Sequence, residues 1–133
     1  AEIEVPSADD GGSDSGSWGF DEEEAHLQTY GGERVLLVEA SMNAVVVEIP
    51  VPEGAAGAGQ VAVRVMSDGD FRMTLTLGNL KGAPVPVGNS RRRWREVLFP
   101  LTRPLSFSSG ERLRLQLESL AVPVVLQAVR FMP

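Results

Sequence analysis

The segment Arg112-Leu113-Arg114-Leu115-Gln116-Leu117-Glu118 alternates without exception between leucine and a charged or amide residue. Successive side chains of an extended chain point to opposite faces, so this spacing sends the leucines one way and the polar groups the other. A helix would scatter the same leucines around its circumference. Phe71, Met73, Leu75 and Leu77 alternate with Arg72, Thr74 and Thr76 in the same manner. Both segments are predicted to be antiparallel strands with one buried and one wet face. The wet positions of this pair hold no aromatic ring, so a saccharide stacked along that face is not expected. Their charges read instead as a solvated surface that discourages edge-to-edge aggregation.

Further strands are predicted at Ile3–Val5, Val35–Ala40, Ala44–Ile49, Gln60–Met66, around Val85, Val97–Leu101 and Val124–Phe131. Turn residues separate them: Pro50 and Pro52 to Gly59, Ser67-Asp68-Gly69-Asp70, Gly78-Asn79, Gly88-Asn89-Ser90 and Ser108-Ser109-Gly110. No helical pattern long enough for a crossover between parallel strands intervenes. The expected fold is therefore all-β, an antiparallel β-sandwich of about eight strands. Asp21–Gln28 is the one helix-like stretch, with acids where they would complement the positive end of a helix dipole. At 133 residues the chain holds one domain's worth of core. Residues 1–17 read as a short strand followed by an acidic Gly/Ser/Asp-rich leader, and residues 18–133 as a single sandwich domain. Pro6–Ser17 has little apolar surface to bury and reads as a loop or linker. Such segments often follow a removed export signal, which points to an exported or cell-surface protein.

Charge and composition exclude several functions. Residues 1–24 hold nine acids and no base, whereas residues 25–133 hold nine acids and 12 bases. With a net charge of −6 the whole chain would repel a phosphate backbone, so nucleic acid is not an expected partner. There is no cysteine and one histidine, His26, which removes thiol nucleophiles, disulfides and cysteine zinc sites. His26 lacks a second imidazole and reads as a surface residue. The carboxylates cluster in the leader, where no acid and base can be paired for glycoside cleavage. No apolar run reaches bilayer length, so membrane insertion is not expected.

The order of strands resembles that of carbohydrate-binding modules with a galactose-binding-like jelly roll. The likeness begins with Trp18-Gly19-Phe20, Gly32–Val38, Val45–Pro50 and Gln60–Val65. It is clearer in Trp94–Leu101, Leu113–Leu117 and Val124–Phe131. It runs over residues 18–131 and implies a jelly roll acting as a non-catalytic glycan-binding module. It also implies a structural calcium between early and late strands, with Glu2 or Glu4 and a loop carbonyl as ligands. The aspartate that helps hold such a calcium in the last strand is replaced by Gln127 here. The matching tryptophan in similar modules, at Trp94, is often a core plug.

Sugar recognition needs an aromatic face for the apolar side of the ring, with amide, carboxylate or guanidinium groups for the hydroxyls. Phe71, Phe99 and Phe131 sit at parities that suggest core, which leaves Trp18, Tyr30 and Trp94 as platforms. Strict alternation with Val97, Phe99 and Leu101 turns Trp94 outward; a bulge at the strand start would return it to the core. Gln28 would join Tyr30 at a loop tip. Arg91-Arg92-Arg93-Trp94-Arg95 is the strongest basic cluster, suited to acidic glycans or to the acidic leader. The expected ligand site is thus a loop cluster of Trp18, Gln28, Tyr30, Arg92, Trp94 and Arg95, with a glycan as partner. A structural domain without a sugar site, contacting another protein, is the competing reading.

Overall fold

The computed structural model describes residues 2–4, 18–78, 80–105 and 112–133. The leader Pro6–Ser17 and the turn Ser108-Ser109-Gly110 lie outside the described residues. Alternation governs the chain: eleven strands are present among the described residues, paired antiparallel in two sheets. The first sheet has the order β2 (Ala25–Tyr30), β3 (Glu33–Val38), β11 (Val124–Met132), β5 (Gln60–Ser67), β9 (Arg95–Pro100). The short strand β1 (Glu2–Glu4) pairs with β11 beyond the point where β3 leaves it. The second sheet has the order β4 (Val45–Pro50), β10 (Arg112–Glu118), β6 (Phe71–Leu77), β7 (Leu80–Lys81), with β8 (Val85–Val87) also on β6.

The inner faces make the core. Leu113, Leu115 and Leu117 on β10 lie directly across from Ile49, Val47 and Val45 on β4 and from Leu77, Leu75 and Met73 on β6, and all are buried. Facing them from the first sheet are Leu36, Val38, Val61, Val63, Val65, Leu126, Val129 and Phe131. Phe71, Phe99 and Phe131 are buried as their parity predicts. On the outer face of the second sheet Glu48 lies between two guanidiniums, 3.3 Å from Arg112 and 3.8 Å from Arg114, and Arg72 lies 3.9 Å from Glu118. Solvated pairs of this kind contribute little stability each, but they keep the sheet face wet. Thr74 departs from the expected pattern and is buried.

The stretch Asp21–Gln28 is not a helix. The Asp21 carboxylate accepts the Glu23 amide at 2.9 Å and its carbonyl accepts the Glu24 and Ala25 amides, which closes a single turn. The chain then extends as β2, held to β3 from Ala25↔Val38 to Tyr30↔Glu33. Gly31 and Gly32 close that hairpin with φ of 58° and 83°, the doubly positive geometry of the two-residue turn that matches strand twist. This hairpin decides in favour of strand over the helical propensity of the preceding acids. The tiny strand β7 also lay beyond what the sequence indicated, since two residues carry no periodicity.

Candidate functional site

Parity assigns the outer face of the first sheet. With Val61, Val63 and Val65 turned inward, Ala62, Arg64 and Met66 point outward, and their partners Leu98 and Glu96 on β9 do the same. Trp94 precedes β9 and continues this outward row. It is half-buried, and the Arg64 guanidinium lies 5.4 Å from its ring centroid. Strict alternation holds at Trp94, which is neither the core plug that the resemblance implies nor an open platform, because a cation covers its ring.

The same face carries a polar groove of about 450 Å³, walled by Glu33 and Arg34 of β3, Arg64 of β5, Gln127 and Arg130 of β11, and Glu96 of β9. A bulge at Leu126–Ala128 lets Gln127 accept from Arg64 and donate to Glu33. Arg130 binds Glu96 at 2.8 Å and Arg34 binds Glu4 at 3.4 Å. The Arg64, Gln127, Glu33, Arg130, Glu96, Arg34 and Glu4 side chains here are already committed to one another, and a ligand would have to displace them.

Glu2 and Glu4 border this groove among three guanidiniums. Calcium is held by convergent oxygens, and neighbouring cations oppose it. No group of three or more His, Asp or Glu side chains that could hold a metal occurs among the described residues. Glu4 is paired with Arg34 at 3.4 Å, so a calcium ion held there would have to displace that guanidinium.

Trp18 is also not a platform. Gly19 forms a bridge with Glu48, with two backbone hydrogen bonds of 2.7 Å, which adds the Trp18-Gly19-Phe20 segment to the edge of β4. That register turns Trp18 inward, where it is 6% exposed. Its indole Nε1 has no hydrogen-bond partner among the described residues. Arg95 is likewise removed from the site: it pairs with the inward Val65, and its guanidinium donates to the Gly88 carbonyl at 2.9 Å.

Two of the expected residues do meet. Tyr30, 49% exposed at the end of β2, and Arg92 line one cavity of about 290 Å³. Met66, Val122, Pro123 and Val125 supply its apolar lining, and Ser67 and Asp68 join Arg92 as its polar lining. Gln28 lies two residues before Tyr30, exposed on the same outward side of β2. The apolar members of this cavity were not anticipated, although the outward parity of Met66 beside Arg64 is readable in the alternation of β5.

The rim is held by cross-links between two loops. Ser67 and Ser90 exchange backbone and hydroxyl hydrogen bonds of 2.9–3.0 Å. Asn89 donates its amide to Asp70 at 2.8 Å and its side chain to the Asp68 carbonyl at 2.9 Å. The Arg93 amide reaches back to the Ser90 carbonyl at 3.1 Å, closing a turn whose central residues, Arg91 and Arg92, have φ of 53° and 62°. Such a turn favours Asn and Gly, and a side chain with a Cβ costs about 1–2 kcal/mol in the left-handed region. Strain of this kind persists only where the surroundings over-determine it. Arg92 lies 3.3 Å from Asp68, its side chain 80% exposed.

Comparison with known proteins places this architecture. No protein-family profile matches the sequence, and no curated protein does. Solved structures match over almost the entire chain. A β-1,3-glucan-binding family 6 module from Bacillus halodurans has a TM-score of 0.69 at 16% identity, with 100% of this chain and 96% of that one covered. The fold is that of family 6 carbohydrate-binding modules. A module of the same family from Clostridium stercorarium, solved with cellobiose, has a TM-score of 0.64 at 15% identity, covering 99% of this chain and 92% of the other. The C-terminal family 6 module of a laminarinase from Zobellia galactanivorans gives 0.64 at 14% identity, covering 97% and 96%. The jelly roll expected from the strand order is thus the observed fold.

Proposed function

We propose that this domain is a non-catalytic carbohydrate-binding module of an exported or cell-surface protein, with the cavity between Tyr30 and Arg92 as its saccharide site. The observation that carries this reading is that the exposed Tyr30 lines one cavity together with apolar Met66, Val122, Pro123 and Val125 and with hydrogen-bonding Ser67, Asp68 and Arg92. That is the combination a pyranose needs, one face for stacking and an edge for hydroxyls. Likeness to modules solved with cellobiose or described as glucan-binding supports it. The cavity is at the lower end of small-ligand sites, about 300–1,000 Å³, so it takes one sugar ring of a chain or its end. With one platform and hydroxyls to desolvate, the Kd should be about 0.1–1 mM. Heteronuclear NMR titration with a panel of neutral and charged oligosaccharides tests the reading. Shifts should concentrate at Tyr30, Met66, Asp68 and Arg92, and Tyr30→Ala should weaken binding at least about tenfold. A panel with no binder would refute the function. Binding with shifts confined to the Glu33–Gln127–Arg130 groove would refute the site.

A further inference from the structure

We propose that the cavity beside Tyr30 selects anionic saccharides, those carrying a carboxylate or a sulfate, and that Arg91, Arg92 and Arg93 hold the charged group. The inference rests on the carbohydrate-binding reading and names the class of sugar. Its first support is the turn itself. Residues 91–93 occupy a tight turn with positive φ at Arg91 and Arg92, positions where Asn and Gly cost least and arginine has no conformational advantage. What arginine adds there is a guanidinium at the rim of the Tyr30 cavity.

The second support is electrostatic. Arg92 lines the cavity and meets Asp68 at 3.3 Å, while Arg91 and Arg93 are exposed and make no ion pair among the described residues. Asp70 lies close behind, its carboxylate accepting the Asn89 amide. One guanidinium, that of Arg92, therefore lines the cavity beside the Asp68 carboxylate; the same turn carries Arg91 and Arg93, exposed, so the two cross-linked loops hold three guanidiniums against the carboxylates of Asp68 and Asp70. Guanidinium forks match the paired oxygens of a carboxylate or sulfate. The third support is rigidity. The Ser67–Ser90 and Asn89–Asp70 cross-links fix this turn in advance, so anchoring an anion requires little ordering of the loop.

The experiment uses the full chain and calorimetric titration with three probes of equal length at 50 and 500 mM NaCl. These are oligogalacturonate, a sulfated galactan oligosaccharide and a neutral galactan oligosaccharide. At low salt at least one anionic probe should bind ten or more times tighter than the neutral one, and high salt should largely abolish the difference. Which anionic arm wins identifies the charged group. The double change Arg91→Asn, Arg92→Gly suits the turn, and Arg93→Gln preserves side-chain length. Each should reduce the anionic preference with no fall in melting temperature. Equal binding of all three probes by the wild type would overturn the selectivity and leave the carbohydrate reading intact. Anionic binding that survives Tyr30→Ala in full would overturn it as well, by placing the charge contact outside this cavity. Absence of binding to any of the three probes would overturn the anionic selectivity, while the broader panel of neutral and charged oligosaccharides decides the carbohydrate reading.

Discussion

The two tryptophans and the one tyrosine show how a single residue's role follows from the parity of its strand. Trp18 was readable as an exposed aromatic because glycine and serine flank it, yet the bridge from Gly19 to Glu48 turns it inward. Nothing local to Trp18 encodes that bridge, which depends on a partner almost thirty residues away. Trp94, by contrast, follows the alternation of Val97 and Phe99 and faces outward, so its direction was legible, while the guanidinium over its ring comes from Arg64 on another strand. Trp18→Ala should therefore act on stability, costing about 3–5 kcal/mol from lost burial and the cavity left behind. Denaturant unfolding would measure it, and titration of the folded protein should show affinity unchanged. Loss of glycan affinity at full stability would mean that Trp18 contacts ligand.

At the scale of elements, strands with several alternating positions were legible, as were the short strands at Ile3 and Val85, whereas β2 and β7 were not. The boundaries of β6 and β10 coincide with their periodicity, because each has a large apolar residue (leucine, methionine or phenylalanine) turned inward at every second position. The strand β2 was hidden by the acids preceding it, whose effect ends within one turn capped by Asp21. Tyr30 and Arg92 could be picked out by residue type, but their meeting required knowing that the β2–β3 hairpin ends near the loop at 88–94. Two changes on β10 test the face assignment. Leu115→Ala should cost about 2–5 kcal/mol, whereas Arg114→Ala, on the wet face beside Glu48, should stay within about 0.5 kcal/mol. Similar losses from both would contradict the register. In the arginine turn, Arg91→Asn with Arg92→Gly should raise stability by about 1 kcal/mol, since both residues suit positive φ. A fall in the unfolding midpoint would show that the two guanidiniums hold the loop together.

For the molecule as a whole, the two sheets divide the work. The outer face of the second sheet is laced with Glu48, Arg72, Arg112, Arg114 and Glu118, whereas the first sheet carries Tyr30, Trp94, the groove and the cavity. Opposite charges also alternate along the groove, where Glu2 and Glu4 sit among Arg34, Arg64 and Arg130. This arrangement bears on whether a metal helps hold the sandwich closed. A calcium bound at β1 would tie the N-terminal strand to β11 and would stabilise the native state by RT ln(1 + [L]/Kd), about 2.7 kcal/mol at a hundredfold excess over Kd. A chain of this size would then gain several degrees in melting temperature. Here Glu4 is engaged by Arg34, and Glu2–Glu4 pair through the backbone with Arg130, Val129 and Ala128, which fastens β1 to β11. Thermal unfolding in millimolar calcium and in excess chelator should therefore give the same midpoint within about 1 °C, well below the shift that linkage requires. A midpoint several degrees higher in calcium, abolished by Glu2→Gln and Glu4→Gln, would establish a metal at β1. It would also require the carboxylate of Glu4 to exchange its guanidinium partner for the ion.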